Sequence, residues 1–229
     1  MNDFPFDIVG FDLDGTLLDT HQDLGAAVNH ALERAGRPAV PVERIESLIG
    51  GGAKLMLRRA LEETGGISDE DFRPLYKALL AYYGEHNADH SRPYPGVVDT
   101  LEELARRGVK LAVVTNKFES FANDILQKLS LDHHFGAVIG GDTMGKGRAK
   151  PAPDPIFEMI RRLAGEDADI SRAAFVGDSS YDIGSARAAG VPVIAAAYGY
   201  CDRPAQDLGA DAVIETMADC ITALESLRA

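Results

Sequence analysis

Three short segments of this 229-residue chain place polar residues just where an apolar run stops, and a fourth lies in the long loop after another such run. Asp12 and Asp14 follow FDIVGF, in DLDGT. Thr115, Asn116 and Lys117 close KLAVVTNK. Lys150 opens KPAPDP, after GAVIGGD. Asp178 and Asp182 follow AAFVG, in GDSSYD. Asp12, Asp14 and Asp178 supply carboxylates with no His or Cys among them. Hard oxygen ligands of this kind suit Mg2+, which keeps waters and bridges carboxylate to phosphate. Lys150 is a point charge and Thr115 a hydroxyl donor, both matched to phosphate oxygens. Gly15 permits a sharp turn and close backbone approach. A carboxylate nucleophile beside a metal and an anion binder is a layout for an aspartyl-phosphate intermediate.

Such residues must be held by something. FDIVGF reads as a buried parallel strand, because it is apolar throughout rather than alternating. Similar runs recur at Lys110–Thr115, Gly136–Gly140, Ala173–Gly177, Val191–Ala196 and Asp211–Ile214. Helical patterns fall between them, at Val97–Arg107 with Gly108 as a stop, and at Ser120–Leu131, Asp154–Leu163, Tyr181–Ala189 and Met217–Leu227. Strand–helix alternation implies an α/β fold: a Rossmann-like parallel sheet with helices on both faces. Ligands of open α/β sheets bind beyond the carboxyl ends of the strands, which is where the four polar segments lie.

Asp19 to Arg92 differs. It shows helix periodicity throughout and no strand-like run. Leu24, Ala27, Val28, Ala31 and Leu32 make one stripe, and Leu55, Leu57, Ala60 and Leu61 a second. Phe72, Leu75, Tyr76, Leu79, Leu80 and Tyr83 make a third, behind Ser68 as N-cap and acidic Asp69, Glu70 and Asp71. The expected division is an α/β catalytic core of residues 1–18 and 93–229, interrupted by an α-helical cap of residues 19–92. Arg92-Pro93-Tyr94-Pro95-Gly96 makes a hinge.

Composition narrows the classes. Hydrophobic residues are 45% and charged residues 26%, ordinary for a folded globular chain. Asp and Glu outnumber Lys and Arg by 36 to 23, a formal charge of −13. That balance argues against nucleic acid or an anionic membrane as a general partner. Cys201 and Cys220 have no His or Cys neighbour at ligand spacing and read as reduced thiols. The first basic residue is Arg34, and no apolar run approaches a membrane span; both point to a cytoplasmic protein. Oligomeric state, monomer or homodimer, is left open.

Taken together and in this order, DLDGT, VVTNK, KP and GDSSYD resemble the four motifs of the haloacid dehalogenase superfamily. The resemblance spans essentially the whole chain, and the helical insertion after the first motif is similar to that family's small cap. More narrowly, GDSSYDIGSARAAGVPVIAAAYGY and IGGGAKLML resemble the phosphoglycolate phosphatases. The resemblance implies Asp12 as the nucleophile and Asp14 as general acid, then base. It implies Thr115, Asn116 and Lys117 around the phosphoryl group, and Lys150 stabilising its charge and that of Asp12. Asp12, Asp178 and the backbone carbonyl of Asp14 would hold Mg2+, with Asp182 orienting Lys150 or a metal-bound water. Gly51, Gly52 and Lys54, in the cap, would help select the substrate. Asp14 separates this chain from dehalogenases, which need no leaving-group protonation. Thr16 and Leu24 stand where the mutase branch carries a Val or Ile and a His. Tyr198 and Tyr200 read as packing residues.

The expected activity is Mg2+-dependent hydrolysis of a small anionic metabolite phosphate, with 2-phosphoglycolate favoured. A pyrophosphatase, nucleotidase or sugar phosphate phosphatase would share the same core motifs, because those residues read only the phosphoryl group. A phospho-accepting signalling domain fits less well: the chain is long for one receiver, and Asp14 would hydrolyse the acyl phosphate such a domain must keep. A silent scaffold would be expected to lack some catalytic position, and none is lacking.

Overall fold

The computed structural model describes residues 4–227. The elements are β1 (Ile8–Phe11), β2 (Leu18–Asp19), α1 (His21–Arg34), α2 (Val42–Ile45), α3 (Ala53–Glu63), α4 (Asp69–His86), β3 (Arg92–Pro93), α5 (Val97–Arg106), β4 (Lys110–Val114), α6 (Glu119–Lys128), β5 (Ala137–Ile139), α7 (Asp154–Ala164), β6 (Ala173–Gly177), α8 (Ser180–Ala189), β7 (Val193–Ala196), β8 (Ala212–Ile214) and α9 (Cys220–Ser226). Single-turn 3-10 segments punctuate the loops.

Two compact units result: residues 1–19 with 93–229, and residues 20–92. In the first, six strands pair in the order β5-β4-β1-β6-β7-β8, every pair parallel. β1 is central. The chain builds outward from it on one side through β4 and β5, then on the other through β6, β7 and β8. Ile8 is level with Lys110 on β4 and Ala173 on β6, and Phe11 with Val113 and Val176. The ends of β1, β4 and β6 are therefore level, and adjacent strands are about 4.8 Å apart.

The central strands are apolar and buried, save for Lys110 at the start of β4, as expected of a sheet covered by helices. On one face Ile8, Val114, Phe175 and Val193 pack against Ile156 and Met159 of α7 and Ile183 and Ala186 of α8. Each fully buried Ile, Val or Phe side chain contributes about 1.5–3 kcal/mol relative to exposure. α7 is amphipathic, burying Pro155, Ile156, Met159 and Ile160 while Glu158, Arg161 and Arg162 pair on the outside.

The second unit is helical. α1 packs against α4, α2 and α3. Ser68 caps α4 as the sequence implies, its hydroxyl accepting from Asp71 N–H at 3.2 Å. A short α2 between α1 and α3 has no counterpart in the sequence reading, because four residues are too few to show a period. The run expected to lack strands also begins and ends with β-structure: β2 and β3 form a separate two-stranded sheet. Two-residue strands carry no alternation for a pattern to reveal.

Candidate active site at the carboxyl edge of the sheet

β1 ends at Phe11, and the Asp12 N–H continues its ladder by donating to Val176 O at 2.9 Å. This fixes Asp12 at the strand end, with its side chain buried. The next residues turn sharply. Gly15 has φ +82°, and a Cβ there would lie 2.3 Å from Asp178 Oδ2, so only glycine lets this turn approach Asp178. Thr16 then donates its hydroxyl to Asp178 Oδ1 at 3.1 Å.

Lys150 joins three strand ends. Its ammonium lies 2.9 Å from Asp12 Oδ1 and 2.5 Å from Asp182 Oδ1, and donates to Val114 O at 2.8 Å. It also sits 5.5 Å from the centre of the Phe175 ring, an attractive cation–π distance. The Lys150 side chain is 1% exposed and that of Asp182 is fully buried, so this is an interior ion cluster rather than a surface bridge. Asp182 serves twice. Its Oδ1 holds Lys150, while its Oδ2 accepts from Ser179 N–H at 3.0 Å and Ser179 Oγ at 2.6 Å, completing the capping box of α8.

The charges do not balance. One ammonium faces Asp12 and Asp182, and Asp178 is close by. Ligand atoms from Asp12, Asp178 and Asp182 all lie within 4.8 Å of one another. Burial, followed by the charge of Asp182, raises the Asp12 pKa from 3.8 to about 7, against the pull of Lys150. Burial, then the charges of Asp182 and Asp12, holds Asp178 well above the usual carboxylate range. Burial works against the charge on Lys150, but Asp12 and Asp182 outweigh it and its pKa is raised. A nest of buried carboxylates short of positive charge is a site that a divalent cation relieves. The donor set, oxygen with no nitrogen or sulfur, fits Mg2+.

Asp14, beside this cluster, has its own partner. Its Oδ1 lies 2.7 Å from Lys117 Nζ, with side chains 15% and 5% exposed. Thr115 is buried at the end of β4, where its hydroxyl accepts from Lys117 N–H at 3.2 Å. Asn116 donates from Nδ2 to Lys150 O at 3.2 Å, bracing the lysine's own loop, while its buried Oδ1 has no protein partner. Lys117 pairs with Asp14, a partnership between residues 103 apart that spacing cannot reveal.

The three residues assigned to substrate selection belong to the helical unit. Gly52 caps α3 with φ +87°, Gly51 precedes it with φ +70°, and Lys54 is exposed in the first turn. Tyr198 and Tyr200 pack as expected but also hydrogen bond. Tyr198 donates its hydroxyl to Thr16 O, and Tyr200 donates its N–H to Asp178 Oδ2 and its hydroxyl to Asp19 Oδ1. The YGY that follows β7 was the only signal for them.

A parallel sheet with this strand order, bearing an aspartate after β1, a lysine on a loop and an acidic turn after β6, defines a class of hydrolase. Residues 9–196 match the haloacid dehalogenase-like hydrolases, and the chain belongs to that family. It is 41% identical over 216 residues to a phosphoglycolate phosphatase of Agrobacterium fabrum, covering 93% of this chain and 90% of that one. It is 38% identical over 223 residues to a phosphoglycolate phosphatase of Caulobacter vibrioides, covering 95% and 92%. A crystal structure described as a predicted phosphoglycolate phosphatase from Haemophilus somnus 129pt superposes with a TM-score of 0.87 at 32% identity, covering 96% of this chain and 98% of that one. Among the described residues, no helix is long and apolar enough to cross a membrane.

Proposed function

We propose that the protein is a Mg2+-dependent phosphomonoesterase that works through an aspartyl-phosphate intermediate, with 2-phosphoglycolate as substrate. The observation that carries the chemistry is the buried cluster of Asp12, Asp178, Asp182 and Lys150, with Asp14 held beside it by Lys117. The substrate follows the names of the relatives, which align over nearly the whole chain.

Asp12 attacks phosphorus, the phosphorus–ester oxygen bond breaks, and Asp14 gives the departing alcohol its proton. Asp14 then takes a proton from water, whose oxygen attacks the phosphorus of the acyl phosphate. Inorganic phosphate leaves and Asp12 is regenerated. Thr115, Asn116 and Lys150 hold the transferring phosphoryl group, and Lys117 orients Asp14. Asp12, Asp178 and the backbone carbonyl of Asp14 are the proposed holders of Mg2+, and Asp182 keeps Lys150 in place. Bound Mg2+ supplies positive charge that offsets the negative charge on the phosphoryl oxygens. The helical unit, through Gly51, Gly52 and Lys54, reads the part of the substrate beyond phosphorus.

The test is a panel of metabolite phosphates assayed with Mg2+ and with EDTA. The expected result is turnover only with Mg2+, with 2-phosphoglycolate giving the highest kcat/KM. Stronger preference for a pyrophosphate, nucleotide or sugar phosphate would replace the substrate and keep the mechanism. Full turnover in EDTA would overturn the mechanism.

A further inference from the structure

Residues 198–200 touch more of the first unit's working parts than any role in the proposed chemistry requires. Tyr198 donates its hydroxyl to Thr16 O at 2.8 Å, and Thr16 donates its own to Asp178 Oδ1 at 3.1 Å. Tyr200 N–H donates to Asp178 Oδ2 at 2.7 Å. A closed circuit therefore runs from Asp178 through Thr16 to Tyr198, along the chain to Tyr200, and back to Asp178. Both oxygens of Asp178 are held, each with lone-pair capacity to spare. Gly199 is the residue that fits inside: a Cβ there would lie 2.2 Å from Gly15 O and 2.5 Å from Asp178 Cβ.

The same segment reaches both crossing points of the chain. Tyr200 donates its hydroxyl to Asp19 Oδ1 at 2.8 Å, and Asp19 is the last residue before the helical unit. Tyr198 meets Tyr94 edge to face, with ring centres 4.9 Å apart, one residue after Pro93 where the chain re-enters. Tyr94 N–H in turn donates to Leu17 O at 3.1 Å. One three-residue brace thus holds a proposed cation ligand, the turn that carries Asp14, the exit at Asp19 and the re-entry at Tyr94.

We infer that Tyr198-Gly199-Tyr200 is a positioning brace that couples cation binding at Asp178 to the order of the two crossing points, Tyr200 serving the exit and Tyr198 the re-entry. This rests on the cation site proposed above. A cation that fixes Asp178 also fixes the Tyr200 N–H bonded to it. The Tyr200 hydroxyl can then hold Asp19 with less freedom to lose, a coupling through order rather than displacement.

The test is amide hydrogen exchange on the full chain, with and without Mg2+, alongside calorimetric Mg2+ binding. In the wild type, Mg2+ should slow exchange in peptides covering both crossing points, by about fivefold or more. Tyr200→Phe keeps the N–H to Asp178, so its Mg2+ affinity should stay within about twofold while the slowing at Leu17–Thr20 is lost. Tyr94→Leu removes the ring contact with Tyr198 and leaves the Tyr198 hydroxyl on Thr16 O, so it should lose the slowing around residue 94 and keep it at the exit. Should Tyr200→Phe fail to fold, Asp19→Ala removes the same hydrogen bond from the other side and should lose the same slowing. Binding of Mg2+ by the wild type with no slowing, or slowing retained at the exit in both Tyr200→Phe and Asp19→Ala, would overturn the brace and leave the phosphatase reading standing. No Mg2+ binding by the wild type would overturn both.

Discussion

The molecule buries aspartates in two regions and treats them in opposite ways. In the helical unit, Asp23 is 1% exposed, yet it faces no lysine or arginine in its hydrogen bonds. His90 N–H lies 3.0 and 3.1 Å from its two oxygens, Ser91 N–H donates at 2.8 Å, and Ser91 Oγ at 2.6 Å. Several fixed dipoles aimed at one carboxylate satisfy it without a second charge. At the sheet edge, Asp12, Asp178 and Asp182 crowd together instead, with Lys150 as the ammonium among them. Burial and mutual repulsion push Asp12 up to about 7. The first arrangement is finished and pins the two ends of its unit together. The second gathers three carboxylates around one ammonium. Burial of an aspartate therefore says little about its role; the identity of what faces it says most.

The largest effect expected from breaking this contrast lies in activity. Asp12→Asn should lower kcat by at least about 1,000-fold, because an amide oxygen is a poor nucleophile toward phosphorus. Steady-state assay with 2-phosphoglycolate and circular dichroism together check it. A folded variant with more than a tenth of wild-type kcat would remove Asp12 from its assigned role.

Asp23→Ala should do the reverse. It strands the His90 and Ser91 N–H groups and the Ser91 hydroxyl, for a loss of about 3 kcal/mol in stability. Urea unfolding of the full chain measures it, with kcat of the folded fraction as control. Asp23→Asn keeps one acceptor oxygen and should lose roughly half as much. If Asp23→Ala cost no stability, the satisfied carboxylate would not be structural.

How much of this was legible beforehand follows from the range of each interaction. The six-stranded parallel sheet was readable because its strands are short apolar runs separated by helical periods, both local patterns. Asp12 and Asp178 were marked by their place at strand ends, which parallel pairing makes converge, and Lys150 by the KP that closes the long loop after GAVIGGD. The pairing of Lys117 with Asp14 was not legible, because it depends on side-chain direction after two different strands. The brace at Tyr198–Tyr200 was hidden for a similar reason. A tyrosine after a buried strand packs in most proteins, and only the fold shows what its hydroxyl meets. α2, β2 and β3 were missed because they are shorter than the period that would reveal them.

Asp14 lies between the two extremes, one carboxylate facing one lysine. Lys117→Met should lower kcat for an alkyl phosphate by about tenfold through loss of Asp14 orientation. The loss should be smaller for p-nitrophenyl phosphate, whose leaving group needs little protonation. Lys117→Arg keeps the charge and should recover part of the rate. Equal losses on both substrates would show that Lys117 acts on the phosphoryl group rather than through Asp14.

The last effect is a pH dependence of stability in EDTA. Asp12 has a folded pKa of about 7 against 3.8 in a free carboxyl, and Asp178 is raised as well. Between those values the folded state binds more protons than the unfolded state, so stability falls as pH rises from about 4 to about 7. The lowered carboxylates act in the other direction but below this window: Glu158, whose bond to Arg161 leads in holding it at about 2, contributes stability that is lost only as pH falls toward that value. The Tm in EDTA should therefore be lower at pH 8 than at pH 5, by about 2–4 °C for each kcal/mol involved in a chain of this length. Asp12→Asn should flatten the decline, because the amide does not titrate, and Mg2+ should flatten it by supplying the missing charge. A decline as steep in Asp12→Asn as in the wild type would remove Asp12 as its source, and with it the charge crowding that sets the sheet edge apart from the helical unit.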